Sequence, residues 1–204
     1  HSQGGEGAVV VRAVYAFSDD SGQELARWTA TYSMRNTGEL HVDNHFIRAD
    51  GLPVLPRVGM NLELTGGFDQ AAWYGRGPHE NYRDRKLAAN VGLYRSPVFD
   101  LYVPYMRPQE NGYRTDTELL ALHTGEGGKG VVVQADSVFG FSALHNRMED
   151  FSPPVKIAIT SEDGPGAREN KERVNIHVSD IEPRDLVSVN IDYGQMGVGG
   201  DDSW

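Results

Sequence analysis

Glu24-Leu25-Ala26-Arg27-Trp28-Thr29-Ala30-Thr31-Tyr32-Ser33-Met34-Arg35 is the stretch that decides the fold class. Leu25, Arg27 and Thr29 alternate with Ala26, Trp28, Ala30 and Tyr32, a period of two that sends successive side chains to opposite faces of an extended strand. Asn36-Thr37-Gly38-Glu39 then supplies turn chemistry and residues 40–49 resume the alternation, so a hairpin is expected. Upstream, Val9, Val11, Ala13, Tyr15 and Phe17 keep the same period. Downstream it returns at residues 58–64, 70–75, 117–123, 130–135, 139–145, 173–178 and 186–193, each run bounded by Gly, Pro, Asp or Asn. No window carries a sustained helical stripe, which argues against a parallel sheet built from βαβ units and for an antiparallel β-sandwich.

The 204 residues, 39% of them hydrophobic, suffice for one full-sized domain with a real core. Glycine and proline, 24 and 10 residues, stay below the level of a low-complexity chain but imply many turns. A net charge of −10 without a basic patch speaks against nucleic acid and anionic membranes as partners. The absence of cysteine removes disulfides, thiolate metal sites and cysteine nucleophiles. No apolar run approaches the ~18 residues of a membrane span, so a soluble protein is expected, with cytoplasm and periplasm both open. His1-Ser2-Gln3-Gly4-Gly5 offers neither an initiator Met nor a signal-peptide pattern and reads as the start of an excised piece. Residues 1–7 are accordingly expected to be a tail or linker, and 8–204 one domain.

Most motifs of catalysis fail on inspection. Gly125-Glu126-Gly127-Gly128-Lys129-Gly130 satisfies the spacing of a dinucleotide loop, but Val131-Val132-Val133 follows where a helix is required, so a hairpin turn is expected. His79-Glu80-Asn81-Tyr82-Arg83 begins like a zinc helix and loses its second imidazole to Arg83. His41 and His45 would stand about 13 Å apart along a strand. No G-x-S-x-G elbow supports a serine nucleophile. Glycoside hydrolysis needs two carboxylates roughly 5 to 9.5 Å apart, and Glu80 with Glu110 is the pair to weigh. The competing reading, favoured because arginines crowd these loops, has both carboxylates accepting hydrogen bonds from Arg76, Arg83, Arg85 or backbone amides.

Two stretches exceed what a generic sandwich needs. Residues 73–85 set three arginines beside two carboxylates and three aromatic rings, with Gly75, Gly77 and Pro78 shaping the backbone. Gly197-Val198-Gly199-Gly200-Asp201-Asp202-Ser203-Trp204 places an indole after an acidic, glycine-rich turn, where its face could pack on a sugar ring. The plainer alternative is a tryptophan belonging to a core.

With these residues in view, the chain resembles the C-terminal small-chain domain of the LacZ-type β-galactosidases of glycoside hydrolase family 2. Trp73 through Lys86 matches W-[FY]-G-R-G-P-x-E-N-Y-x-D-R-K. Pro104-Tyr105-Met106-Arg107-Pro108-Gln109-Glu110-Asn111-Gly112 matches P-Y-x-x-P-Q-E-N-G, and Gln195 through Trp204 matches Q-x-G-[VI]-G-G-D-D-S-W. Leu55-Pro56-Arg57-Val58-Gly59 fits L-P-R-[VI]-G, and all four occur in family order from about residue 8 to the chain end. Residues 146–171, with Pro153-Pro154 and Gly164-Pro165-Gly166, depart from the family pattern, and the chain stops where the family continues, as if cut at its C-terminus.

The resemblance implies an all-β, large antiparallel supersandwich like that of galactose mutarotase, placed last in a retaining β-galactosidase. Its catalytic glutamates, a magnesium ion and a monovalent cation would lie on a TIM barrel elsewhere in the parent chain, leaving no catalytic residue and no metal ligand here. The isolated domain would be inactive. Its partners would be that barrel and the β-galactoside, and the parent enzyme could assemble as a homo-oligomer. Trp204 would be the sugar platform, while Trp73, Arg76, His79, Glu80, Tyr82, Asp84, Arg85, Glu110, Asn111, Asp201 and Asp202 would be structural motif positions. Two other functions stay open from the residues: a free-standing carbohydrate-binding module, and an aldose 1-epimerase using His79 with Glu80 or Glu110.

Overall fold

In a computed structural model, the structure describes residues 8–105, 110–151, 159–160, 170–171, 181–195 and 197. The chain divides into two compact units, His1–Val54 and Leu55–Trp204. Pro53 and Pro56 flank the division; proline offers no amide to a ladder, so neither residue can extend a neighbouring strand inward.

The first unit is a meander of β1 (Ala8–Ser18), β2 (Glu24–Arg35) and β3 (Leu40–Arg48), antiparallel throughout in the order β1-β2-β3. Its register aligns Tyr15 with Trp28 and Phe46, and Val11 with Tyr32 and Val42, which collects the apolar members of all three strands on one face. Trp28 and Phe46 lie 5.6 Å apart, and the indole N–H donates to Asn44 Oδ1 at 2.9 Å. The expected turn at 36–39 forms, and side-chain bonds shape the β1–β2 turn. Asp19 Oδ1 accepts from the amides of Ser21 and Gln23, each at 2.9 Å, and Gly38 takes the left-handed conformation (φ +85°) at the β2–β3 turn.

The second unit is a six-stranded antiparallel sheet in the order β4-β11-β8-β7-β5-β6. Its strands are β4 (Arg57–Thr65), β5 (Gln70–Gly77), β6 (Asn90–Pro97), β7 (Arg114–His123), β8 (Gly130–Leu144) and β11 (Leu186–Gln195); β9 (Ile159–Thr160) and β10 (Asn170–Lys171) form a separate short antiparallel pair. In β11, alternation directs Val187, Val189 and Ile191 to one face and Ser188, Asn190 and Asp192 to the other. The apolar set joins Trp73, Leu120, Leu122, Phe139, Phe141 and Ala143 in one core, closed by Val98 and Leu101 of a 3₁₀ turn. Each such large side chain contributes about 1.5–3 kcal/mol by leaving water.

The all-β antiparallel class expected from the alternation is what the structure has, and no α-helix occurs among the described residues. Two local readings change. The expected runs 130–135 and 139–145 are one strand, β8, whose pairing with β7 shifts register around Thr117. β6 matches none of the expected runs, because Gly92, Ser96 and Pro97 dilute its alternation; an edge position tolerates them. The 125–130 stretch is the β7–β8 hairpin turn as expected, closed by Thr124 N–H to Lys129 O at 2.9 Å. The expected strand at 173–178 lies outside the described residues.

Candidate functional site

The site is built where segments far apart in sequence converge on the loop after β5. Trp73, 1% exposed, packs edge-on to Phe141 and donates its indole N–H to Arg76 O at 3.0 Å, folding the strand end back on itself. Arg76 reaches Ala89 O at 2.7 Å and pairs with Asp116, which also accepts from Lys86 Nζ at 2.8 Å. Asp116 sits at the register shift of β7 with φ +51°, a left-handed conformation uncommon outside glycine, and this aims its carboxylate between the two cations. Burial opposes ionisation there, but the hydrogen bonds from Arg76 and Lys86 outweigh it and hold Asp116 below the usual carboxylate range.

Asn81, fully buried, bonds on every side: its Oδ1 accepts from Thr115 N (3.0 Å) and Oγ1 (2.7 Å), its Nδ2 donates to His79 O (3.1 Å), and its amide donates to Tyr113 O (2.8 Å). Tyr82 stacks on Tyr113 at 5.4 Å, with the Arg85 guanidinium 5.3 Å from the Tyr82 ring centre. Burial pushes both phenols upward. Glu80, its side chain 6% exposed, takes the Gly112 amide on Oε2 at 2.6 Å, and Arg85 (2.9 Å) and the Tyr105 hydroxyl on Oε1. Burial and that carboxylate raise Tyr105 to about 12. Asn111 clamps the same loop by bonding Val103 N (2.9 Å) and Val103 O (2.6 Å).

Glu110 does not partner the arginines of its neighbouring loop. It accepts from Arg57 Nη1 at 3.0 Å, while Arg57 also holds Asp192 of β11. Burial dominates for both carboxyls and raises them above their ordinary values, with Arg57 opposing the shift. Arg114 was not singled out in the sequence, yet it is 3% exposed, stacks over Trp73 at 5.2 Å, and donates to the carbonyls of Gly112 (2.6 Å) and Pro78 (3.2 Å). Burial pulls it down to about 10. Nothing in the alternation around Arg114 distinguishes it from a surface arginine, whereas Arg57 stood inside a quoted motif.

Of the expected positions, Trp73, Arg76, Glu80, Tyr82, Asp84, Arg85, Glu110 and Asn111 lie in this assembly, and exposed His79 lies at its rim. Trp204, Asp201 and Asp202 lie outside the described residues. An open cleft of about 560 Å³ is bounded by His79, Glu80, Asp84, Leu87, Val103 and Tyr105. Asp84 meets the backbone of Gly197, so the start of the last motif is also brought to this loop. Among the described residues no group of three or more His, Asp or Glu side chains is placed to hold a metal ion. Nor does any helix there have the length and apolarity to cross a membrane.

Comparison with known proteins finds relatives over most of the chain. The chain is 34% identical over 180 residues to a β-galactosidase of Priestia megaterium, covering 88% of this chain and 15% of that protein. It is 33% identical over 178 residues to a β-galactosidase of Vibrio cholerae, covering 87% of this chain and 14% of the relative. With β-galactosidase 2 of Enterobacter cloacae it shares 34% identity over 167 residues, 82% of this chain and 13% of that one. The chain thus spans about 15% of the length of these relatives. The family described as β-galactosidase small chain matches residues 1–204, and the chain belongs to it.

Proposed function

We propose that this chain is the small-chain part of a larger β-galactosidase that cleaves terminal β-D-galactosides with retention, its nucleophilic and acid/base glutamates standing elsewhere in the parent chain. The observation that supports this is the state of the two carboxylates in the loops: Glu80 is saturated by Gly112, Arg85 and Tyr105, and Glu110 is bound to Arg57. A general acid must release its proton to a leaving group and a nucleophile must reach an anomeric carbon. Oxygens already bonded to fixed backbone and guanidinium do neither. The role left to the loops is architectural: to hold the cleft-side surface rigid against the catalytic domain and to present Trp204 as an aromatic platform for the sugar or its aglycone.

In this reading magnesium and a monovalent cation act in the catalytic domain, and the carboxylates held here by arginine take no part in binding them. The test is a comparison of the parent enzyme with the 204-residue chain on a chromogenic β-galactoside. Turnover by the parent and background hydrolysis by the chain is the expected result; turnover by the chain that vanishes on Glu80→Gln or Glu110→Gln would overturn the assignment.

A further inference from the structure

On β11 the residues opposite the core, Ser188 and Asn190, form a polar floor rather than a solvated face. The antiparallel register sets Asn61 of β4 and Ser142 of β8 on either side of Asn190, and Glu63 of β4 beside Ser188. Side chains then join across three strands: Asn61 Nδ2 donates to Ser188 Oγ (3.0 Å) and Asn190 Oδ1 (2.9 Å), and Asn190 Nδ2 donates to Ser142 Oγ (3.1 Å). Ser142 and Ser188 are each 2% exposed, a depth at which polar side chains are the exception. They line two adjoining clefts, of about 440 and 130 Å³, which share Asn190 and Met148. The larger is within the range of small-molecule sites.

The walls of the larger cleft decide what it takes. Arg147 forks onto Glu63 at 2.5 and 2.8 Å, and Arg184 forks onto Asp150, its Nε at 2.7 Å. The Arg147 amide donates to Asp150 Oδ2 at 2.9 Å and ties the two pairs together. Both arginines and both of these carboxylates are thus committed, and a charged ligand would have to break a two-bond pair before making its own. Asn61 spends its amine on the floor, while its carbonyl oxygen bonds none of the described residues. Met148 adds an apolar surface to both clefts. We infer that this cleft binds a neutral pyranose, whose hydroxyls meet Asn61, Asn190 and the Arg147–Glu63 pair and whose C–H face meets Met148. The inference goes beyond the reading of the parent as a galactosidase and does not need it, because the recognising groups all belong to this chain. A few new neutral hydrogen bonds, each of modest net worth, correspond to a dissociation constant on the order of millimolar.

The experiment titrates the full-length parent protein with galactose and follows amide hydrogen exchange by mass spectrometry in residues 142–150 and 186–192. Exchange in both segments is expected to slow as galactose rises through the millimolar range. Asn61→Leu removes the exposed amide, and Asn61→Asp keeps its shape while replacing the donor with a charge, which guards against a result due to lost folding. Each is expected to raise the galactose concentration for half effect by about 10-fold or more. Glucuronate, the same ring type with a carboxylate, and glycerol, a polyol without a ring, are expected to act only at about 10-fold higher concentration. No slowing in the wild type up to about 200 mM galactose overturns the inference. So does slowing that both variants retain, since it places the binding elsewhere in the parent, and so does glucuronate or glycerol acting as well as galactose. A parent without galactosidase activity would instead sink the reading of the function, and the exchange titration would still decide the cleft.

Discussion

Arg57 on β4 and Asp192 on β11 form a side-on ion pair, with Nε 2.7 Å and Nη2 2.6 Å from Oδ2, across a point where Gly59 has no side chain to separate them. The same guanidinium holds Glu110, and its centre lies 5.6 Å from the Tyr113 ring centre. One cation thus joins two sheet strands to the loop that precedes β7. The Asp192 side chain is 2% exposed, so removing Arg57 strands a buried carboxylate. Arg57→Ala is expected to cost about 3–5 kcal/mol in urea unfolding at pH 7. A cost below about 1 kcal/mol would mean that water replaces the guanidinium.

The pH dependence of this network follows from its signs. Glu110 and Asp192 are raised above their ordinary 4.5 and 3.8, chiefly by burial. The folded state therefore binds more protons than the unfolded chain. The resulting stability is complete below the ordinary values and is lost as pH rises through the raised ones. Stability measured from pH 4 upward should fall through this window in the wild type, and Glu110→Gln should flatten the fall. An unchanged slope would assign the titration to other groups.

Glu80→Gln separates structure from catalysis. Glutamine keeps one acceptor for the Gly112 amide but replaces a charged partner of Arg85 and Tyr105, so about 1–3 kcal/mol of stability should go. In the proposed parent enzyme, galactosidase activity assayed well below the melting temperature should change by less than about 10-fold. Loss of a general acid or base costs 10²- to 10⁴-fold, and a drop of that size would place Glu80 in the chemistry.

Much of this architecture was legible in the sequence because alternation is a local signal. The ladder from β1 to β3 follows from Val9, Tyr15, Trp28, Tyr32 and Phe46. Partners across long separations were not legible. The carboxylates at 80 and 110 could be read as bonded to arginine, yet only folding selects Arg85 for one and Arg57 for the other, 53 residues away. Arg114 and Asp116 carry no pattern of their own; their roles arise from the loop carbonyls, Trp73 and the left-handed kink that meet them. β6 was obscured by Gly92 and Pro97, which an edge strand accommodates and a propensity reading penalises.

Arg114→Lys tests whether shape or charge matters under Trp73. A guanidinium reaches the carbonyls of Gly112 and Pro78 while lying over the indole; an ammonium is a point donor with no plane to stack. Lysine should therefore rescue little, and both Arg114→Lys and Arg114→Met should destabilise by about 2–4 kcal/mol. Lysine restoring wild-type stability would show that charge alone is needed. Thermal unfolding followed by tryptophan fluorescence reads the difference, since Trp73 is buried against this group.

Asp116 combines a left-handed backbone with two cationic partners, and substitutions can take these apart. Asp116→Asn keeps a side chain that tolerates the conformation while removing the charge; Asp116→Gly relieves the backbone and removes the carboxylate altogether. If the ion pairs matter more than the torsion angle, both should lose about 1–2 kcal/mol at pH 7, discounted for a side chain 29% exposed. The sign with pH is opposite to that of Glu110. Asp116 is lowered from its ordinary 3.8, so its contribution is present above that value and disappears as pH falls through the lower folded value. The gap between wild type and Asp116→Asn should therefore narrow on acidification below about pH 4, as followed by urea unfolding. A gap that stays constant, or a gain in stability with glycine at pH 7, would make backbone strain the governing term.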